Sequence, residues 1–297
     1  GYKMKDLITI LILFAKFSFI TASDGDRSRK YEECQRNCND SSLHKQQDIW
    51  CRMLWDCQDE CSYHCMWTTV KFYQKRGFRT PKFYGKWPFI RVMGVQEPAS
   101  AISSYLNLFA HVYMNYKIRA EFPVKSMPVV LLWHICVNAW TWSIIFHTRD
   151  KPFSEFMDYA CALSMVMGLY VSAVIRVFHK RRKFTAICVV TPMFYFVTHV
   201  QYLYTGRIDY DYNMKVNIFF GVTGSLIWLV WSLMLWLGGG ERRRGSSSMV
   251  AFVFLSGAAL ALEVLDFPPW WYVWDAHALW HLATAPLPLL FYGSVYF

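Results

Sequence analysis

The sequence is poor in charge. Only 18% of its 297 residues are Asp, Glu, Lys or Arg, against roughly 25% in soluble globular domains. The apolar residues that take their place come in blocks rather than at helical or strand period, which excludes an ordinary water-soluble domain. An internal repeat is also lacking, so an inverted-repeat transporter architecture finds no support. No CxxC pair occurs among the nine cysteines, which counts against a zinc knuckle. No nucleic-acid motif accompanies the net charge of +10, so the positive balance must be explained by where it sits.

What is present is apolar sequence in runs of membrane length. Seven of them approach the ~20 residues that span a bilayer as helix, at about 99–117, 127–147, 154–178, 184–204, 214–237, 248–266 and 275–296. Pro192, Gly221, Gly224, Gly257 and Pro286 fall inside these runs, and membrane helices tolerate such residues better than soluble ones do. Ahead of them, "MKDLITILILFAKFSFITAS" reads as a secretory signal peptide over residues 1–23, with Lys5 before an apolar core and a small-residue cleavage site at Ala22 and Ser23. The expected fold class is therefore an all-α polytopic membrane protein: a seven-helix transmembrane bundle over residues 99–297, preceded by a small disulfide-rich lumenal domain over residues 24–98.

Six cysteines crowd that preceding segment: Cys34, Cys38, Cys51, Cys57, Cys61 and Cys65. An even count in a short exported stretch reads as a disulfide framework whose pairing spacing alone does not choose. Asn39-Asp40-Ser41 is a glycosylation sequon compatible with the same compartment. The stretch "KFYGKWPFIRVMGVQEPAS" mixes aromatic and basic residues and is expected to lie along the headgroups. The same holds for "PPWWYVW", because Trp and Tyr accumulate at membrane interfaces. Cys136, Cys161 and Cys188 lie within spans and read as packing residues.

The basic residues then report topology. With the Cys-rich segment in the lumen, alternate loops face the cytosol and should carry Lys and Arg. Those loops hold Lys117, Arg119, Lys125, Arg176, Lys180 to Lys183 and Arg242 to Arg244, whereas the others hold Arg149, Lys151, Arg207 and Lys215. Eleven against four supports seven spans with a lumenal amino terminus.

Ionisable groups inside spans are costly and raise a functional hypothesis by default. His277 and His281, four residues apart, open the seventh span, with side chains about 5–6 Å apart on one helix face. Ser143 and His147 close the second span on the same side, and Asp158 follows near the start of the third. Singly, a histidine at a helix end is ordinarily interfacial, and HxxxH recurs by chance. Together at one depth they fit a catalytic zinc, which takes three protein ligands and keeps a fourth position for water. His147, His277 and His281 are the ligand candidates, Asp158 the group that orients or deprotonates the water, and Ser143 a donor to an oxyanion. His111, His134 and His199 have no partner at helical spacing and read as packing or hydrogen-bonding groups. Glu263 and Asp266 fit either acceptors for a ligand N–H or structural caps. Asp209 and Asp211 read as turn-formers or as groups facing a polar headgroup.

At these residues a resemblance becomes specific. Ser143-x3-His147, Asp158 and His277-x3-His281 resemble the signature of the CREST superfamily of seven-helix membrane hydrolases, which contains alkaline ceramidases and progestin/adiponectin receptors. Within it, "ECSYHCMWTTV", "GKWPF", "QEPASA", "FHTRD", "MDYACA", "LDFPP" and "DAHALWH" resemble the post-GPI-attachment to proteins factor 3 family, in order along the chain from about Cys34. The resemblance implies a zinc-dependent, GPI-specific phospholipase A2 that removes the sn-2 acyl chain of GPI-anchored proteins. It implies a Golgi membrane location, or the endoplasmic reticulum as in yeast members. It carries zinc to His147, His277 and His281, water activation to Asp158 and oxyanion stabilisation to Ser143. Two other readings use the same residues. A ceramidase-type lipid amidase would release a sphingoid base, and a non-enzymatic seven-helix receptor or GPI-binding protein would hold a closed, structural zinc. No nucleic-acid partner is expected, and oligomeric state is not legible.

Overall fold

The computed structural model describes residues 23–38, 49–121, 127–205, 208–238 and 242–296. The leader up to residue 22, the sequon at Asn39 and the side chain of Cys51 lie outside the described residues. The chain is all-α, with eleven helices and no named strand among the described residues. It divides into two units. One comprises residues up to 44 together with 57–88, the other 45–56 together with 89–297.

The first unit is a stapled helix pair. Helix α1 (Arg29–Asn37) starts where the Ser28 hydroxyl accepts from Tyr31 N–H, and α3 (Cys57–Lys75) pairs with it. Disulfides join Cys34 to Cys65 and Cys38 to Cys61. Both helices present their cysteines four residues apart, so the bonds form two rungs on facing stripes, as antiparallel helices require. The disulfide reading holds for these four, while Cys57 is exposed. Tyr31 packs on Phe83 with ring centroids 5.3 Å apart. Gly25 donates to the Lys82 carbonyl at 2.9 Å, and a Cβ there would stand 2.5 Å from that oxygen. Only glycine fits.

The second unit is the bundle, with a short α2 (Ile49–Leu54) among its residues. Helices α4 (Pro98–Glu121), α5 (Met127–Thr148), α6 (Pro152–Phe178), α7 (Arg182–Thr205), α8 (Tyr210–Gly238) and α9 (Arg242–Leu265) follow in order. Five of them, α5 to α9, are long and apolar enough to cross a membrane. At 1.5 Å per residue the 22 residues of α5 reach about 33 Å, the thickness of a bilayer core. Helix α4 has 24 residues but a more polar inward face, with Ser100, Ser103, Ser104, Asn107 and His111 all buried.

The run expected as one seventh span is two helices, α10 (Ala276–Thr284) and α11 (Leu287–Tyr296). The break is at Pro286, which has no N–H to continue the ladder and crowds the preceding turn. Neighbour packing closes a ring: α4 on α5, α5 on α6, α6 on α8, α8 on α9, and α9 on α10 and α11, which return to α4. Helix α7 stands outside the ring, backed on α6. At α8 the ring is tight, because a Cβ on Gly224 would lie 3.2 Å from the Tyr170 Cα. One end of the bundle carries the basic residues Lys117, Arg119, Arg176 and Arg243. The other carries His147 at the end of α5, His277 at the start of α10, and Asp158, which lies at the opposite end of α6 from Arg176.

Candidate metal centre

Three helices deliver the histidines, and the way each helix ends fixes them. His147 sits one residue from the end of α5, where the last carbonyls have no partner within the helix. The segment preceding α4 supplies them: Glu97 N–H donates to the His147 carbonyl at 2.9 Å and Gln96 N–H to the Thr148 carbonyl at 3.0 Å. The Glu97 carboxylate then accepts from His147 Nδ1 at 2.6 Å. One residue thus holds both the backbone and the ring of His147.

His277 and His281 lie on α10, which is capped by Asp275 accepting from Ala278 N–H at 2.8 Å. The helix break has a local consequence. Pro286 cannot donate, and Ala285 N–H turns back to the Leu282 carbonyl, so the place of a helical donor to the His281 carbonyl falls vacant. Asn107 Nδ2 fills it from α4 at 2.7 Å, and the Thr284 hydroxyl from the same turn at 2.9 Å. Asn107 also donates to the Ser103 carbonyl at 3.0 Å, which pins α10 to α4 beside the ligand. His277 is held from α9, where Glu263 accepts from its Nδ1 at 2.7 Å.

The three rings turn their Nε2 atoms towards one another. His147 Nε2 and His277 Nε2 are 3.4 Å apart, and His277 Nε2 and His281 Nε2 are 2.8 Å apart. One nitrogen from each lies within 4.8 Å of the others, a group able to hold a metal ion. The donor chemistry fits a cation. With Nδ1 of His147 and His277 donating to carboxylates, each neutral ring leaves a bare lone pair on Nε2. Lone pairs facing across 3.4 Å repel unless something positive lies between them. Zinc–nitrogen bonds of ~2.0–2.1 Å at tetrahedral angles put ligand nitrogens about 3.3 Å apart. The first pair meets that spacing, and the second would open by about 0.5 Å on the same geometry. Among the described residues the group has three members and no fourth His, Cys, Asp or Glu.

His147 and His281 are buried, at 1% and 3% exposure, whereas the His277 side chain is 32% exposed. The centre therefore opens to its surroundings past His277. Asp158 stands beside it, with His147, His277, Ser143 and Glu97 as electrostatic neighbours and the Ser143 hydroxyl as hydrogen-bonding partner. Ser143 in turn meets Ser104 Oγ at 3.0 Å. All five residues singled out in the sequence thus gather at one end of the ring.

Glu97 was not legible as a site residue, although an acid directly before Pro98 at the mouth of a span is a signal in hindsight. Of the ambiguous acids, Glu263 takes the ligand N–H. Asp266 falls just past α9 with φ +38°. Asp209 is a turn-former, accepting from Tyr212 N–H at 3.0 Å, and Asp211 pairs with Lys215 at 2.6 Å. The lone histidines each make the hydrogen bond that was one of their two expected roles. His111 Nδ1 meets the Tyr292 hydroxyl at 3.1 Å, His134 Nδ1 donates to the Val130 carbonyl at 2.8 Å, and His199 Nε2 donates to Asn213 Oδ1 at 3.0 Å.

Comparison with known proteins places this arrangement. The Per1-like family profile matches residues 49–296. The chain is 40% identical to "Post-GPI attachment to proteins factor 3" of Drosophila melanogaster, over 96% of this chain and 92% of that one. It is 39% identical to "GPI-specific phospholipase A2-like PGAP3" of Xenopus laevis, over 95% and 92% of the two chains. The Homo sapiens protein of the same name is 36% identical, over 96% and 92%. No solved structure matches the chain.

Proposed function

The chain belongs to the Per1-like family, and from that premise we propose that it is a zinc-dependent GPI-specific phospholipase A2 working in the lumenal leaflet of the Golgi or endoplasmic reticulum membrane. The observation that carries the reading is the convergence of three imidazole Nε2 atoms, two of them backed by carboxylates, beside Asp158. Relatives whose names refer to GPI anchors support the substrate class.

His147, His277 and His281 would hold the metal through Nε2, with Glu97 and Glu263 keeping the first two in the right tautomer. When bound, zinc supplies Lewis acidity and a water acidified towards neutrality. The protein's own groups do the rest. Asp158 accepts a proton as water adds to the sn-2 ester carbonyl, and returns it to the glycerol oxygen as the acyl C–O bond breaks. Fatty acid and lyso-lipid leave. Ser143 is shared in this scheme. While Asp158 is ionised its carboxylate takes the Ser143 hydroxyl. Once Asp158 is protonated it competes less for that proton, which is then free to meet the developing oxyanion. Ser104 remains as the partner on Ser143's other side.

The geometry also suits the substrate's position. An sn-2 ester lies just beneath the headgroups, and the three histidines lie within about two helical turns of the ends of α5 and α10. The partly exposed edge at His277 is where the ester would approach, with the acyl chain entering laterally and the glycan staying in the lumen.

The test pairs metal analysis of the purified protein with lipid analysis of GPI-anchored proteins in cells lacking it. One zinc per chain and retention of the unsaturated sn-2 chain in the deficient cells are expected. Normal remodelling in those cells would overturn the substrate assignment, and zinc-free protein with full activity would overturn the metal. Free sphingoid base released from ceramide would select the amidase instead.

A further inference from the structure

Helix α7 poses a question that the metal centre leaves open. It lies outside the ring, yet polar groups fix its end nearest the histidines. His199 is 2% exposed and Asn213 on α8 is 5% exposed, and the two are hydrogen-bonded at 3.0 Å. The other ring nitrogen of His199 is buried and has no hydrogen-bond partner among the described residues. Tyr195 and Tyr212 bring their hydroxyls to 2.7 Å. Bonds of this kind are modest as glue between membrane helices, about 0.6 kcal/mol on average, so packing alone gives weak reason for so polar a cluster. Intramembrane ionisable groups more often mark a ligand.

Around this buried pair the tyrosines form an outward face. Tyr202 and Tyr212 lie edge to face at 5.4 Å, and both flank His199. They are 41% and 38% exposed. Asp209 and Asp211 bring carboxylates between these rings in the sequence that starts α8. The face is continuous with the metal centre. Tyr210 packs at a tilt on Tyr159 at 5.4 Å and donates to Glu155 at 2.5 Å, and Tyr159 directly follows Asp158.

We propose that the paired ends of α7 and α8 form a carbohydrate-binding face that receives the glycan of the GPI anchor. This rests on the function proposed above and extends it to a second part of the substrate. A hexose offers an apolar C–H face to an aromatic ring and a rim of hydroxyls to carboxylates and amides. Exposed tyrosines amid Asp209 and Asp211 match both demands. An interfacial aromatic belt alone would need neither the buried His199–Asn213 pair nor the carboxylates. The face holds the glycan to the side of the ring while Asp158, at its inner edge, meets the lipid.

The experiment uses the full-length protein in lipid nanodiscs and an acyl-free mannose–glucosamine–inositol phosphate oligosaccharide as probe, titrated by saturation-transfer NMR. The wild type should bind it. The variant Tyr202→Ala should lose affinity severalfold, on the scale of one lost aromatic contact. With intact GPI substrate its KM should rise and its kcat hold, while metal content stays unchanged. No binding by the wild type, or equal binding by the variant, overturns the proposal and leaves the tyrosines as a belt. The titration reads binding without turnover. Failure of the hydrolase reading would appear as absent acyl release with every substrate, and remains distinguishable.

Discussion

The two ends of the helix ring are built on opposite plans. At the histidine end, polar side chains turn inward and are held in pairs: His147 with Glu97, His277 with Glu263, Ser104 with Ser143. At the basic end the interior is mainly apolar, with one buried hydroxyl pair between Ser232 and Ser246. Trp228 and Trp231 of α8 pack with Leu132, Met249, Phe291 and Val295, and the charges stay outside or lie across rings, as Arg243 does over Trp236 at 5.4 Å. Arg176 reaches in, donating to the Val295 carbonyl at 2.6 Å. The contrast teaches a division of labour. Close packing at one end holds the ring shut, which lets the other end keep buried polar groups that would destabilise it if left unpaired.

Substitutions should separate the two ends. The largest effect is expected from His281→Ala, which removes a ligand and should take both bound zinc and acyl release to background. Zinc content unchanged by mass spectrometry would remove His281 from the ligand set. Next comes Asp158→Asn, which should lower acyl release by roughly 10²- to 10⁴-fold, the range for a lost general base, with zinc retained. Full activity would strike Asp158 from the mechanism.

At the opposite end, Trp228→Ala should act in the reverse sense. Trp228 is buried, donates to the Leu169 carbonyl at 3.2 Å and packs edge-on to Phe291. Its truncation should cost about 3–5 kcal/mol in thermal unfolding, with zinc still bound to the folded fraction. Loss of metal from fully folded protein would show that the two ends are not separable. The smallest effect is expected from Glu97→Gln. The amide can still accept from His147 Nδ1 but carries no charge, so zinc affinity should fall about 10- to 100-fold in a chelator competition. An unchanged affinity would make Glu97 a helix cap only.

Much of this was legible because a membrane simplifies the code. Residues such as His147, Asp158 and His277 stand out against an apolar background, and the basic loops order the spans. Glu97 was hidden because one acid before a proline reads as an ordinary helix start, and its partner lies fifty residues away. The break in the seventh span was hidden for a related reason. Pro286 was visible, but whether a membrane proline kinks or divides a helix depends on who satisfies the freed carbonyl. Asn107, on another helix, settles it.

The sequence by itself determined that the chain is a helical membrane bundle, the order of its apolar runs and which residues are candidates for chemistry, since each follows from local composition and helical spacing. The tertiary structure alone decided that α7 stands outside the ring, that Glu263 and not Asp266 backs a ligand, and that three imidazoles meet. Those are facts about distance between segments far apart in the chain, fixed when helix ends find their missing hydrogen-bond partners on neighbouring helices.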